Sequence, residues 1–193
     1  MPRTRGAAAQ GSQATRPEGR VIAVLGLVAA ACFGVDGRLH DEIARPAAER
    51  GWRLAITLTP TAHRWLKTSG EYDRLTELTD LPVRSESRLP GEPRPHPDPA
   101  TFLFVPASAS STAKLALGIA DNQALTVLCE ALGNPQVHVS VCPQLSEAQA
   151  GHPAWPGHLA TLRAAGALVT PVSYDQPWTT VLDALPVAGT HQP

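Results

Sequence analysis

Five short apolar runs punctuate the chain: RVIAVLG (Arg20–Gly26), WRLAITL (Trp52–Leu58), TFLFV (Thr101–Val105), VHVSV (Val137–Val141) and ALVTPV (Ala167–Val172). The first is a continuous Val- and Ile-rich run closed by a glycine, the pattern of a strand buried on both faces. Stretches with helical spacing lie between the runs. Asp36–Arg50 places Ile43, Ala44, Ala47 and Ala48 on one side, with Asp41 as a cap and Gly51 as its end. Pro46 should kink that helix unless it falls in the first turn. Ala62–Lys67 starts a second helix. Ser111–Leu132 is the longest, with Leu115, Ile119, Leu125, Leu128 and Leu132 along one side, and His158–Ala165 is closed by Gly166. The order β-α-β-α-loop-β-α-β-α-β implies a mostly parallel sheet in a three-layer α/β/α sandwich.

The 193 residues suit one domain with tails. Residues 1–19, with Arg3, Arg5 and Arg16 among small and polar residues, read as a disordered leader. Residues 20–185 form the domain, and 186–193 a flexible tail. A net charge of -1 argues against a nucleic-acid binder and against a basic membrane-surface protein. The longest apolar stretch, Val21–Val35, is too short to cross a bilayer. Cys32, Cys129 and Cys142 have neither disulfide nor zinc spacing. They read as reduced, mostly buried thiols of a cytoplasmic protein. Leu81–Pro99, dense in Pro, Arg and Glu, is a surface loop longer than most connections in a compact domain. Loops of that kind often carry function.

In a parallel sheet, ligands bind at the carboxyl ends of the strands. Three such ends share one character. The first gives Gly26-Leu27-Val28-Ala29-Ala30, where the glycine and the alanines would let backbone approach a ligand closely. The second gives Thr59-Pro60-Thr61-Ala62, and the third Pro106-Ala107-Ser108-Ala109-Ser110-Ser111. Each precedes a helix, whose first turn offers free N–H groups and a positive dipole end to an anion. Any one of these turns reads equally as an ordinary helix cap. All three on one sheet edge point to a site for a ligand with phosphate or polyol oxygens. Neither a Walker motif nor the three-glycine dinucleotide fingerprint is present.

PASASSTAKLALGIADN (Pro106–Asn122) resembles the proline-alanine-serine-alanine-asparagine-threonine segment of the flavoprotein family, the homo-oligomeric flavin-containing cysteine decarboxylases. These include the lanthipeptide-type and phosphopantothenoylcysteine decarboxylases and, more distantly, the flavin prenyltransferases. The turn at Gly26, TPTA at Thr59–Ala62, GIADN at Gly118–Asn122, Cys142-Pro143 and LRAAG at Leu162–Gly166 occur in matching order, so the resemblance spans roughly Val21–Val172. PVRSESRLPGEPRPHP resembles a stretch of actinobacterial members of that family. The resemblance implies a Rossmann-like or flavodoxin-like fold. It implies FMN, or sometimes FAD, held between subunits of a trimer or multiple of trimers. Phosphate contacts then fall on Gly26, Ala29, Thr59 and Thr61. Pro106, Ala107, Ser108, Ser110 and Ser111 lie along the flavin; Asp121 either helps a neighbouring subunit or forms a simple helix salt bridge, and Lys114 is read as solvated.

The sequence departs from the family at three polar anchors. Ser110 stands where the family has the Asn that holds the substrate carboxylate; a hydroxyl donates one bond but has less reach. The position of the family's upstream His falls near Glu92, leaving His96 as the nearest candidate base, or else a solvated histidine of a Pro-rich loop. Pro143-Gln144-Leu145-Ser146 replaces a proline-x-methionine-asparagine segment. His96, Ser110 and Ser146 are the catalytic candidates, as base and carboxylate holders. The activity implied is oxidative decarboxylation of a cysteine-like thiol in a peptide or small molecule. The altered anchors leave open a flavin-binding protein without that chemistry, such as another redox enzyme, a flavin carrier or a partner subunit. Prenyl transfer would want a basic cluster, and the loops offer scattered Arg84, Arg88 and Arg94.

Overall fold

A computed structural model describes residues 23–186. The leader expected at 1–19 and, apart from Pro186, the tail expected at 186–193 lie outside the described residues. Five strands, β1 (Val24–Ala29), β2 (Arg53–Leu58), β3 (Thr101–Ala107), β4 (His138–Pro143) and β5 (Leu168–Val169), form one sheet in the order β2-β1-β3-β4-β5. Every pairing is parallel. Leu25 sits between Leu54 and Thr101, which fixes the register at the centre. This is the three-layer α/β/α fold expected from the sequence. The chain leaves β1 toward β2 on one side and later enters β3 on the other. The carboxyl ends of β1 and β3 therefore flank a topological switch point, the place where open parallel sheets bind ligands.

Side chains alternate between two cores, as the pleat requires. Leu25, Leu27, Leu54, Ile56, Leu103 and Val105 belong to one core. Phe102, Phe104, Val28, Val139 and Val141 belong to the other. The first core is covered by α1 (Val35–Arg38), a π-helical stretch (Leu39–Ala44), α2 (Arg45–Glu49) and α3 (Pro60–Ser69), and by α4 (Glu71–Leu78) and a closing 3-10 helix (Trp178–Ala184). Helices α5 (Ala109–Ala116), α6 (Gln123–Leu132) and α8 (Trp155–Ala164) cover the second, and the short α7 (Glu147–Ala150) lies between β4 and α8. Among the described residues no helix is long and apolar enough to cross a membrane.

Several boundaries differ from the sequence expectation. Pro46 does not end its helix; the chain widens to a π stretch directly ahead of it, and Pro46 lies in the first turn of α2, where its missing N–H costs little. The helix expected over Ser111–Leu132 is two, broken at Leu117–Asn122, where Gly118 takes φ +70°. Polar α4 was not anticipated. The strand expected over Ala167–Val172 is only Leu168–Val169. Pro106 and Ala107, expected in a turn, are the last residues of β3.

Gly26 is the clearest correction. It lies inside β1, paired beside Ala55 and Phe102, rather than in the turn. A Cβ placed on it would stand 2.3 Å from Cδ1 of Phe102. The glycine is there to admit that ring. Gly26→Ala should therefore cost about 1–3 kcal/mol by overpacking, seen as a lower urea midpoint at unchanged slope. A midpoint equal to the parent's would mean that Phe102 can move aside freely.

Candidate functional site at the carboxyl edge of the sheet

Backbone hydrogen bonds continue past the strand ends and draw the following turns into one row. Thr59 N–H donates to Ala29 O, Ala30 N–H to Pro106 O, Gln144 N–H to Ala107 O and Val172 N–H to Pro143 O, each at 2.9 Å. The ends of β2, β1, β3 and β4 and the chain after β5 thus stand side by side. Thr59 and Thr61, and Ser108, Ser110 and Ser111, come to the same edge. The turn after β1 is formed further on, at Cys32–Gly34, where Gly34 takes φ +80°. Ala29, expected in that turn, is the last residue of β1 and fully buried.

Helices α3 and α5 both start at this edge, and each is capped. Thr59 Oγ1 accepts from Ala62 N–H at 3.3 Å, and Pro60 opens α3 with no N–H to satisfy. Ser108 Oγ accepts from Ser111 N–H at 3.2 Å and donates to Ser111 Oγ at 3.0 Å. The oxygens of Thr59 and Ser108 are thus used by their own helices. Capping consumes only the third N–H of each first turn, so the N–H groups of Thr61, Ala109 and Ser110 remain available to an anion. The Ser110 side chain is exposed.

Two buried polar atoms beside these turns have no partner. Thr112 is fully buried in the first turn of α5, and its Oγ1 is unbonded; the Gln144 Oε1, just past β4, is also buried and unbonded. A buried unpaired oxygen costs about 1–3 kcal/mol. Finding two of them beside free helix N–H groups is what a site shaped for a polar ligand looks like. The sequence reading passed over Thr112, because nothing in the string distinguishes it from its hydroxyl-bearing neighbours.

The chain after β5 returns across the edge to α1 and is held there by Arg38. Its guanidinium makes a bidentate pair with Glu42 at 2.7 and 2.8 Å, donates to the carbonyls of Tyr174 (2.8 Å) and Gln176 (2.5 Å), and lies 4.4 Å from the centre of the Trp178 ring. Glu42 also accepts from Trp178 N–H at 2.7 Å. The hydrogen bonds from Arg38, then that from Trp178, hold the Glu42 carboxyl below its ordinary range against the opposing effect of burial. A depressed carboxyl stabilises the fold above its unfolded pKa, and that stability is lost as pH falls through the folded one. Protection of the Trp178 amide from hydrogen exchange is therefore expected at neutral pH. It should fall away below the ordinary carboxylate range, with Glu42→Gln showing the loss already at pH 7. Protection independent of pH would contradict the latch.

The remaining candidates fall elsewhere or have local partners. His96 is half-buried in the Leu81–Pro99 loop, its Nδ1 2.9 Å from Pro97 O. It lines a cavity that reaches Phe102 and Val137, at the amino ends of β3 and β4. Phe102 to Ser108 is six residues of extended chain, about 20 Å. Within one chain, then, the structure does not bring His96 to Ser110. Ser146 forms a capping box with Gln149 at the start of α7. Asp121 lies in the break after α5, paired with Lys114 at 2.6 Å, which holds its carboxyl low. Lys114, expected to be solvated, is thus half of an ion pair. Burial pushes the thiols of Cys32 and Cys142 up to about 12, so both stay protonated and pack as apolar groups. Among the described residues no cluster of His, Cys, Asp or Glu is suited to a metal ion.

No family model matches the sequence, and no curated protein matches it significantly. Solved structures do match. The FMN-dependent cysteine decarboxylase TvaF of thioviridamide biosynthesis is 22% identical, with 84% of this chain and 94% of that one covered and a TM-score of 0.67. HAL3 from Cryptococcus neoformans is 19% identical over 84% of this chain and 95% of that one, with a TM-score of 0.63. A mutant PPC decarboxylase complexed with pantothenoylaminoethenethiol is 17% identical over 77% and 81%, with a TM-score of 0.61. The chain has the fold that these three structures share.

Proposed function

We propose that this chain is an FMN-binding flavoprotein that oxidatively decarboxylates a cysteine-like thiol, at the end of a peptide or in a small molecule. The observation that carries the proposal is the pair of orphaned buried oxygens, on Thr112 and Gln144, beside the N-terminus of α5 at the carboxyl edge of the sheet. TvaF is FMN-dependent and acts as a cysteine decarboxylase, and the PPC decarboxylase mutant holds an enethiol-bearing molecule. Both support the same reading.

The residues present fit FMN. The first turn of α3, with Thr59 and Thr61, offers a dipole end and a hydroxyl to the phosphate. The Pro106–Ser111 turn, Thr112 and Gln144 offer the polar contacts for the remainder. When bound, FMN supplies the two-electron oxidation that turns the thiol-bearing carbon into an electron sink. The protein's part is binding and orientation. The Ser110 N–H and hydroxyl, at the positive end of α5, receive the substrate carboxylate. Ser146 keeps one hydroxyl proton to donate, because its oxygen serves as an acceptor in the cap. FMN is preferred to FAD because TvaF, which shares the fold, is FMN-dependent.

Exposed Leu117 and Ile119, on either side of Gly118, favour burial against another copy, so a homo-oligomer, as a trimer, belongs to the proposal. A flavoprotein without decarboxylase activity is the second reading. It is favoured by one observation: no acid or base is hydrogen-bonded to the Ser108–Ser111 turn among the described residues. Incubating the FMN-loaded protein with a cysteine-terminated peptide separates the two. Loss of carbon dioxide and two hydrogens from the peptide, seen by mass spectrometry, supports the first. An unchanged peptide on a flavin-loaded protein supports the second.

A further inference from the structure

A cavity of about 470 Å³ lies between the Leu81–Pro99 loop and the outer face of α6, away from the strand-edge turns. That volume is in the range of small-molecule sites. The loop forming one wall is firmly built. Arg84 acts as a one-residue extension of the sheet beside β2, accepting from Leu58 N–H at 2.7 Å and donating to Ile56 O at 3.0 Å. Ser87 Oγ donates to Gln123 Oε1 at 2.8 Å, tying the loop to the start of α6. Leu89 N–H donates to Glu92 Oε2 at 2.8 Å and closes the turn.

Three guanidinium groups line this wall, from Arg84, Arg88 and Arg94. Arg94 is neutralised by Asp98. Arg84 and Arg88 each make a single bond to a main-chain carbonyl, to Glu86 O at 2.9 Å and Glu92 O at 2.8 Å. Neither has a carboxylate partner among the described residues, so most of their N–H groups face the cavity or water. Glu130, on the opposite wall, is the one lining carboxylate not paired with a cation. The floor is apolar, built from Phe102, Val127, Ala131 and Val137.

The geometry points to a second ligand site here, for a small molecule with an apolar body and an anionic head, carboxylate or phosphate. Arg84 and Arg88 bind the head, and the Phe102 floor covers the body. Guanidinium forks suit either oxyanion, while an apolar floor gives preference for a ring or short chain over a bare ion. The site is independent of FMN, since none of the strand-edge hydroxyl residues lines it.

Benzoate, phenyl phosphate and inorganic phosphate are the probes. Each is titrated into the full-length protein, with and without FMN, and followed through the arginine Nε–H resonances by NMR. Saturable binding of benzoate or phenyl phosphate that shifts Arg84 and Arg88 is expected, with inorganic phosphate at least tenfold weaker. Which of the two aromatic probes binds more tightly tells a carboxylate from a phosphate ligand. R84Q/R88Q should weaken the better probe at least about tenfold while leaving flavin content unchanged. Thr126→Phe, which fills the cavity from the α6 wall and leaves both arginines intact, should abolish binding. Equal affinity in both variants, competition between probe and FMN, or no saturable binding by either aromatic probe would overturn the proposal. Failure of the flavin reading is distinguishable, because the titration without FMN stands unaffected.

Discussion

Thr112→Val is expected to raise the thermal midpoint of the flavin-free protein and to weaken FMN binding at least about tenfold. The two signs come from one atom. In the flavin-free chain the Thr112 Oγ1 is fully buried with nothing to bond. Replacing it with a methyl group of the same shape removes an unpaid desolvation cost and should stabilise the fold slightly. Under the proposed function that oxygen is a polar contact for FMN in the loaded protein, and the valine would leave the partner on the flavin unsatisfied. A purely structural threonine would move both quantities together or neither. Thermal melts without FMN and a fluorescence titration with FMN read them separately. Unchanged FMN affinity would remove Thr112 from the site.

Ser110→Asp is expected to leave the flavin-free protein at least as stable as the parent and to lower decarboxylation at least about a hundredfold. An acidic residue in the first turn of α5 interacts favourably with the helix dipole, by about 0.3–1 kcal/mol. The same charge occupies the position assigned to the substrate carboxylate and repels it. Ser110→Asn is the informative companion. It restores the amide that the resembling family carries at this position, and turnover equal to or above the parent's is expected. Stable Ser110→Asp protein that turns over normally would place carboxylate binding elsewhere.

The fold was legible because strand and helix periods alternate along the chain, and a parallel sheet follows from that alternation almost without choice. Boundaries were less so, for identifiable reasons. An apolar run does not show where its strand begins. RVIAVLG was therefore read as ending at Gly26, when β1 runs to Ala29 and the glycine answers to a ring on the neighbouring strand. The apolar side drawn through Leu115, Ile119 and Leu125 concealed a break, since Ile119 is 44% exposed. At the site, the Thr59 and Ser108 turns were readable, because capping residues after strands have a local signature. Thr112 and Gln144 were not, because an unsatisfied buried oxygen is a property of packing. Arg38 was equally hidden; its carbonyl partners Tyr174 and Gln176 stand 136 and 138 residues away in the chain. The Arg-rich loop was visible as a loop, yet its cavity depends on α6, more than twenty residues downstream.

The visible absorption spectrum of the purified full-length protein, with the released chromophore identified by chromatography, tests the central claim most directly. A yellow protein with one FMN per chain is expected. A colourless protein that takes up neither FMN nor FAD when either is added would contradict it, and the capped turns at the sheet edge would then be helix starts and nothing more.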